Sequence, residues 1–112
     1  MRARTTALAL RIIRLYGVLP KTVEAQVIGK QMLRSRTAVG AHYREADTAK
    51  STADFISRME GGLQELDETA YWLELLAEAG IGPGPKLDDL RREADEPIAI
   101  FVGSVKTAKK RR

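Results

Sequence analysis

At 112 residues the chain is one ordinary domain, and with 44% hydrophobic and 30% charged residues it can bury a single core. This excludes most multidomain enzymes and a disordered chain. There is no cysteine and only one histidine, His42, which removes disulfides, thiolate chemistry and any site that needs two histidines. Charge is segregated along the sequence. Residues 1–17 contribute +4, 18–50 contribute +3, 51–79 contribute −6, 80–105 contribute −2, and Lys106 to Arg112 contribute +5, for a net +4. A polyanion partner is therefore argued from two local basic regions and not from the overall pI of about 9.6.

The N-terminal segment is rich in arginine and carries no acid before Glu24, in the manner of a transit peptide. Arg11 and Arg14 interrupt any secretory apolar run, and no stretch approaches the ~20 apolar residues that span a bilayer. A cytoplasmic protein without membrane contact is expected.

Helical periodicity appears four times and no period-two alternation is sustained, so the class is all-α. In the first segment Leu8, Ile12, Leu15 and Leu19 share a stripe, flanked by Ala9, Ile13 and Tyr16 and opposed by Arg4, Arg11 and Arg14, until Pro20 stops the helix. This predicts a helix over about 4–18. Thr22 can cap a second helix, to about Asp47, with Ile28, Met32, Ser35, Val39 and Tyr43 or Ala46 facing inward. Ser51 or Thr52 caps a third, over about 52–79, with Asp54 at its positive end. Its stripe is Phe55, Met59, Leu63 or Gly62, Leu66, Ala70, Leu73 and Ala77, widened by Trp72, Leu75 and Leu76. Gly80 to Pro85, with three glycines and two prolines, is the one clear loop. A fourth helix, over about 86–107, carries Leu87, Leu90, Ala94, Ile98, Phe101 or Val102 and Val105, with a kink or break expected at Pro97. Residues 1–108 form the domain and 109–112 a basic tail.

Four amphipathic segments with short connections bury every stripe most simply as an antiparallel up-down-up-down four-helix bundle. Gly29, Gly40, Gly61 and Gly62 fall inside helices, each at about 1 kcal/mol relative to alanine, which points to close approach within one chain or between subunits.

Catalytic and metal chemistry find little support. A dimetal bundle needs two Glu-x-x-His pairs, and the residue three before His42 is Val39. The glycine-rich loop lacks the Gly-Lys-Ser/Thr ending of a phosphate cradle. No enzyme activity, metal or cofactor is expected. The binding reading rests on cations: Lys30, Arg34, Thr37 and Arg44 lie on one helical stripe with Arg36 nearby, and a row of cations tracks phosphates without base-specific contacts. The alternative is salt bridging of these cations to the acids of the third helix, within or between chains; Arg34 and Arg36, which flank small residues, could equally be buried interface forks to Glu45, Glu65 or Glu68. The tail reads equally as a polyanion hook or as a solubilising end.

Three separated runs then carry a resemblance: Gly29-Lys-Gln-Met-Leu-Arg-Ser-Arg-Thr-Ala-Val-Gly-Ala-His-Tyr-Arg-Glu-Ala46, Ser51-Thr-Ala-Asp-Phe-Ile56, and Glu65-Leu-Asp-Glu-Thr-Ala-Tyr-Trp-Leu-Glu-Leu-Leu76. Over about residues 5–108 the chain resembles the bacterial four-helix-bundle proteins related to those encoded in ribosomal RNA intervening sequences. The resemblance implies a closed bundle assembled as a ring-like homopentamer. Proteins of the same fold include the accessory factor of diversity-generating retroelements, a basic pentameric barrel that binds nucleic acid and reverse transcriptase. Arg34, Ser35, Val39, Gly40, Ala41, Tyr43, Arg44, Glu45 and Ala46 match the second-helix signature, and Glu68, Thr69, Tyr71, Trp72 and Leu73 the third. His42 stands where asparagine is usual, Arg36 where a small residue is common, and Pro97 where an apolar helix former is usual. The combined expectation is a non-catalytic homo-oligomer that binds RNA or another nucleic acid through Arg11, Arg14, Lys30, Arg34, Arg36 and Arg44. The alternative is a structural or protein-interaction module without nucleic-acid binding.

Overall fold

The helix boundaries follow from local chemistry. In a computed structural model that describes residues 2–93 and 95–111, and only the backbone of Arg2, the elements are α1 (Arg2–Gly17), α2 (Val23–Asp47), α3 (Thr52–Glu78), α4 (Gly84–Glu93) and α5 (Asp95–Arg111). The fourth segment is thus described in two pieces on either side of Ala94. There is no strand among the described residues, and no helix there is long and apolar enough to cross a membrane.

Thr22 caps α2, its hydroxyl accepting from the Ala25 amide at 3.3 Å. Ser51 caps α3 by accepting from the Asp54 amide at 3.0 Å, and the Asp54 carboxylate accepts from the Lys50 amide at 3.2 Å. At the end of α3 the Ile81 amide donates to the Leu76 carbonyl at 2.9 Å and the Gly80 amide to that of Ala77 at 3.2 Å. This paired closure needs a left-handed residue after the cap, which Gly80 supplies at φ 68°. Ile81 then packs against the core cluster that contains Leu76. The loop is shorter than expected, since α4 begins at Gly84, with the Pro83 carbonyl accepting from the Leu87 amide at 3.1 Å.

Contacts between neighbouring helices rise in one as they fall in the other. Arg34 meets Glu65 and Glu68, Ser35 meets Thr69, and Arg58 meets Glu45, so α2 and α3 run in opposite directions. Together the helices form a compact bundle of 47 × 21 × 20 Å. Its interior holds two apolar clusters. One gathers Ile12, Leu15 and Leu19 with Met32, Leu73, Leu76, Leu87 and Leu90; the other gathers Val39 and Ala46 with Ile56, Met59, Leu66, Phe101, Val105 and Ala108. Between them lies a polar waist, in which Ser35, Arg36 and Thr69 are all at most 4% exposed.

The predicted stripes match the buried residues closely, with differences that have physical reasons. Ile13 is 46% exposed, because the core-facing arc of α1 is already filled by Ile12 and Leu15. Phe101 rather than Val102 fills the α5 position. The segment from Lys109 to Arg111, expected as a tail, continues α5, because Ala108 is packed into the second cluster and holds the last turns in place. Ala94, expected on the fourth stripe, and Arg112, expected in the tail, lie outside the described residues. Asp95–Arg111 is helical through the buried Pro97, and the turn before it, where the kink was expected, includes Ala94.

The four glycines expected inside the second and third helices are all approached within one chain: Gly29 by Tyr16 and Leu19, Gly40 by Thr5, Gly61 by His42 and Gly62 by Phe101. A Cβ on Gly62 would lie 2.6 Å from Cε2 of Phe101, a ring with no exposed surface and no room to shift. Overpacking costs about 1–3 kcal/mol, which outweighs alanine's helix preference of about 1 kcal/mol. Gly62→Ala is therefore expected to destabilise by about 1–2 kcal/mol. Gly103→Ala, where a Cβ meets nothing within 4 Å, is expected to stabilise by up to about 1 kcal/mol. Urea unfolding of the two variants beside the parent checks both signs.

Candidate nucleic-acid interface

An exposed helix face that collects cations needs its residues three or four apart, and α2 provides this outside its buried stripe. Lys30, Arg34, Thr37 and Arg44 are all exposed and fall on one arc, spanning about 21 Å along the axis. Lys30 and Arg44 make no ion pair among the described residues, so their charges face solvent. The Thr37 hydroxyl donates back to the carbonyls of Leu33 and Arg34 at 2.8 and 3.1 Å and adds no charge to the row.

Arg34 is different. Its Nη2 lies 2.5 Å from Glu68 Oε1 and its Nη1 3.3 Å from Glu65 Oε2, so the salt-bridge alternative holds for this residue within one chain. The Trp72 indole also donates to Glu68 Oε1, at 3.2 Å. The hydrogen bond from Arg34, reinforced by that from Trp72, holds the Glu68 carboxyl below the usual carboxylate range, and Glu68 in return raises Arg34.

The other candidates divide. Arg11 is tied to Glu93 and Arg4 to Glu96, which places both on the side of α1 that faces the fourth segment, away from the α2 row. Arg14 is exposed, without an ion pair among the described residues, beside the exposed apolar Leu10 and Ile13. Arg36 does not belong to the surface. It is 4% exposed, packed in the polar waist, and Nη1 and Nη2 have no hydrogen-bond partner. Nor does it fork to Glu45, Glu65 or Glu68, which are held by Arg58 and Arg34. The position was legible: Arg36 is four residues after Met32 and three before Val39, in the middle of the buried stripe, and its charge alone argued for the surface.

Sequence reasoning also missed an apolar surface. Leu10 and Ile13 on α1, Val18 just beyond its end, and Val23 and Val27 at the start of α2 are each exposed, Val23 to 77%. A groove of about 760 Å³ lies at the other end of the bundle, between Ala46 to Phe55 and one face of α5, with Lys50 and Arg111 among its residues. Among the described residues no group of three or more His, Asp or Glu side chains is placed to hold a metal ion.

Comparison with known proteins places these features in context. A family model described as 23S rRNA-intervening sequence protein matches residues 2–103. A solved structure from Bacteroides thetaiotaomicron, described as a protein with unknown function from the S23 ribosomal protein family, is 34% identical to the chain. It superposes with a TM-score of 0.87 over 94% of this chain and 97% of its own. No protein of curated function matches.

The Arg34–Glu68–Trp72 contact has a readable pH dependence, because Trp72 is the only tryptophan. Glu68 has a depressed folded pKa, so its contribution is present above the ordinary carboxylate value of about 4.3 and is lost as pH falls through the lower folded value. The emission of Trp72 is expected to change with a midpoint below that ordinary value. The midpoint should move up in Arg34→Gln and the transition should vanish in Glu68→Gln; a midpoint indifferent to Arg34 would show that the ion pair does not govern Glu68.

Proposed function

Because the chain belongs to the family of 23S rRNA-intervening sequence proteins, we propose that it is a non-catalytic, cytoplasmic homo-oligomer, an antiparallel up-down-up-down bundle that binds RNA or another nucleic acid through the basic face of α2. The observation that carries this reading is the α2 row, in which Lys30 and Arg44 are exposed and unpaired on either side of Arg34. Arg34 has two carboxylate partners to give up, so it contributes in competition with Glu65 and Glu68. Arg14 extends the cationic surface onto α1, Arg11 contributes only by leaving Glu93, and Arg36 is withdrawn from the contact set because it is buried.

The exposed apolar side chains Leu10 and Ile13, three residues apart on α1, support self-association, since exposed apolar surface is stabilised by a partner that covers it. The resemblance to pentameric relatives supplies the number five. Repetition around a ring multiplies a weak row of phosphate contacts, because linked sites act at high effective concentration. The same exposed apolar side chains favour the second reading, a protein-docking module without nucleic acid.

Two measurements test the proposal. Light scattering is expected to give a native mass near five times 12.4 kDa, and Leu10→Asp with Ile13→Asp should lower it; a monomeric parent would overturn the assembly. Binding of a labelled structured RNA should weaken as salt rises, with Lys30→Gln, Arg34→Gln and Arg44→Gln together reducing the log–log salt slope by about 2–3 per bound subunit. Glutamine at Lys106, Lys109, Lys110 and Arg111 separates the α5 end from this surface and spares the packed Ala108. Affinity that survives the α2 changes and is lost with the α5 changes would assign binding to a sticky end. No binding at low salt would leave the protein-docking reading.

A further inference from the structure

Glycine in a helix interior is unfavourable unless close packing requires it, and Gly103, in the middle of α5, packs against nothing. The four glycines inside α2 and α3 are each approached by a side chain of this chain, whereas a Cβ on Gly103 meets no atom within 4 Å. Gly103 lines the groove of about 760 Å³ at the end of the bundle that α1 leaves open. α1 begins level with Gly40 of α2, where Thr5 rests, and with Glu96 of α5, which holds Arg4. On α5, Glu96 starts a stripe that continues through Ile100, Gly103, Thr107 and Arg111 at three- and four-residue steps. α1 covers the start of this stripe and the groove faces the rest, opposite Ala46 and Ala49 at the end of α2 and Phe55 of α3. The groove is thus the unfilled continuation of the α1 position, where the core is built from three helices.

Its charge is one-sided. Lys50 and Arg111 line it without an ion pair among the described residues, and no acid is among its lining residues. Asp54, four residues after Lys50, is held by Arg58 and by the Lys50 amide. We propose that this groove docks one helix of another protein, with small and apolar residues on the face it buries and Asp or Glu on its flanks. A helix fits because the vacant place is a helix position, and Gly103, Ser104, Ala46 and Ala49 let a partner backbone come close. Phe55 and Ile100, the latter 38% exposed, offer apolar contact that a phosphate backbone does not use. Ile100 to Arg111 spans about 17 Å, so about three turns of the partner make contact. A second copy is a poorer match, since its exposed Leu10 and Ile13 stand beside Arg14, a like charge for Lys50 and Arg111. The groove is separate from the α2 row and does not depend on nucleic-acid binding there.

The probe is a fluorescein-labelled synthetic peptide of about 18 residues, long enough for partial helicity on its own, with Ala and Leu on one helical face and Glu on the other. A control peptide carries Lys in place of Glu. Titration with the full chain, read by anisotropy, is expected to give a micromolar Kd for the Glu peptide and about tenfold or more weaker binding of the Lys peptide. Gly103→Gln places a good helix former where α5 has no neighbour, so its urea midpoint should hold or rise while its affinity for the Glu peptide falls about tenfold or more. Lys50→Gln with Arg111→Gln should weaken binding about three- to tenfold and reduce its salt dependence. Absence of binding by the Glu peptide overturns the proposal. So does binding that follows the two cations and ignores Gly103→Gln, which is charge attraction without a seated helix. A native mass that falls in Gly103→Gln assigns the groove to a second copy, and a structured RNA whose affinity falls in that variant assigns it to nucleic acid; either result overturns the proposal as well.

Discussion

Placing a guanidinium and two hydroxyls in the middle of a small helical core constrains everything around them. Ser35, Arg36 and Thr69 separate the Ile12–Leu90 cluster from the Val39–Phe101 cluster, so the bundle has two apolar cores and a polar waist rather than one continuous interior. An apolar seam between α2 and α3 tolerates sliding by a turn at little cost. The Ser35–Thr69 bond does not, because a shifted register leaves buried hydroxyls without partners, at about 1–3 kcal/mol for each. The waist thus fixes register where leucines and methionines alone leave it soft, a use of buried polar groups known from coiled coils. Once α2 and α3 are in register, the outer pairs Arg34–Glu65, Arg34–Glu68 and Arg58–Glu45 follow from the same alignment.

Those outer pairs decide which cations remain for other work. Solvent-exposed ion pairs contribute about 0–1 kcal/mol each, so Arg4, Arg11, Arg34 and Arg58 are held by weak, salt-sensitive contacts and are not locked away. Their effect on the surface potential is larger than their effect on stability. The acids of α3 and the fourth segment cancel the arginines they touch, which leaves Lys30 and Arg44 on α2 and Arg14 on α1 among the exposed cations without an ion pair among the described residues. Counted from sequence the front of the chain carries a block of cations; in the folded chain Arg34 is neutralised by Glu65 and Glu68 of α3, and Arg4 and Arg11 by Glu96 and Glu93.

The fold was largely legible because amphipathic periodicity and caps are local. Leu15, Met32, Val39, Leu66, Leu73 and Phe101 were placed in the core by spacing, and all are essentially without exposed surface. Thr22 and Ser51 announced their helices by residue type and act as caps. The candidate interface was less legible, for reasons that are tertiary. Arg36 has the spacing of a core residue and the charge of a surface one, and only the packed helices show that spacing prevails. Arg34 faces outward as its stripe requires, yet which carboxylate meets it depends on the α2–α3 register. Ile13 sits at the edge of its stripe, and the closeness of its neighbours on other helices decides that it is left outside.

Helix length then explains the unevenness of the surface. α1 has 16 residues against 25 in α2, and it begins beside Gly40, where Thr5 rests, so the last turns of α2 extend beyond it. No residue of α1 enters the Val39–Phe101 cluster, which is built from α2, α3 and α5 alone. The long groove beside Ala46, Phe55 and Ile100 opens at this end of the bundle. At the other end α1 is fully used: one edge is tied by Arg4 and Arg11 to Glu96 and Glu93, its inner side fills the Ile12–Leu90 cluster, and its outer side shows Leu10 and Ile13. A helix held by weak ion pairs on one side and showing Leu10 and Ile13 to solvent on another gains from a surface that covers it. In the proposed oligomer, packing on α1 and burial of Arg36 beside Leu8 and Ile12 stabilise the same state, since both need α1 seated on the bundle.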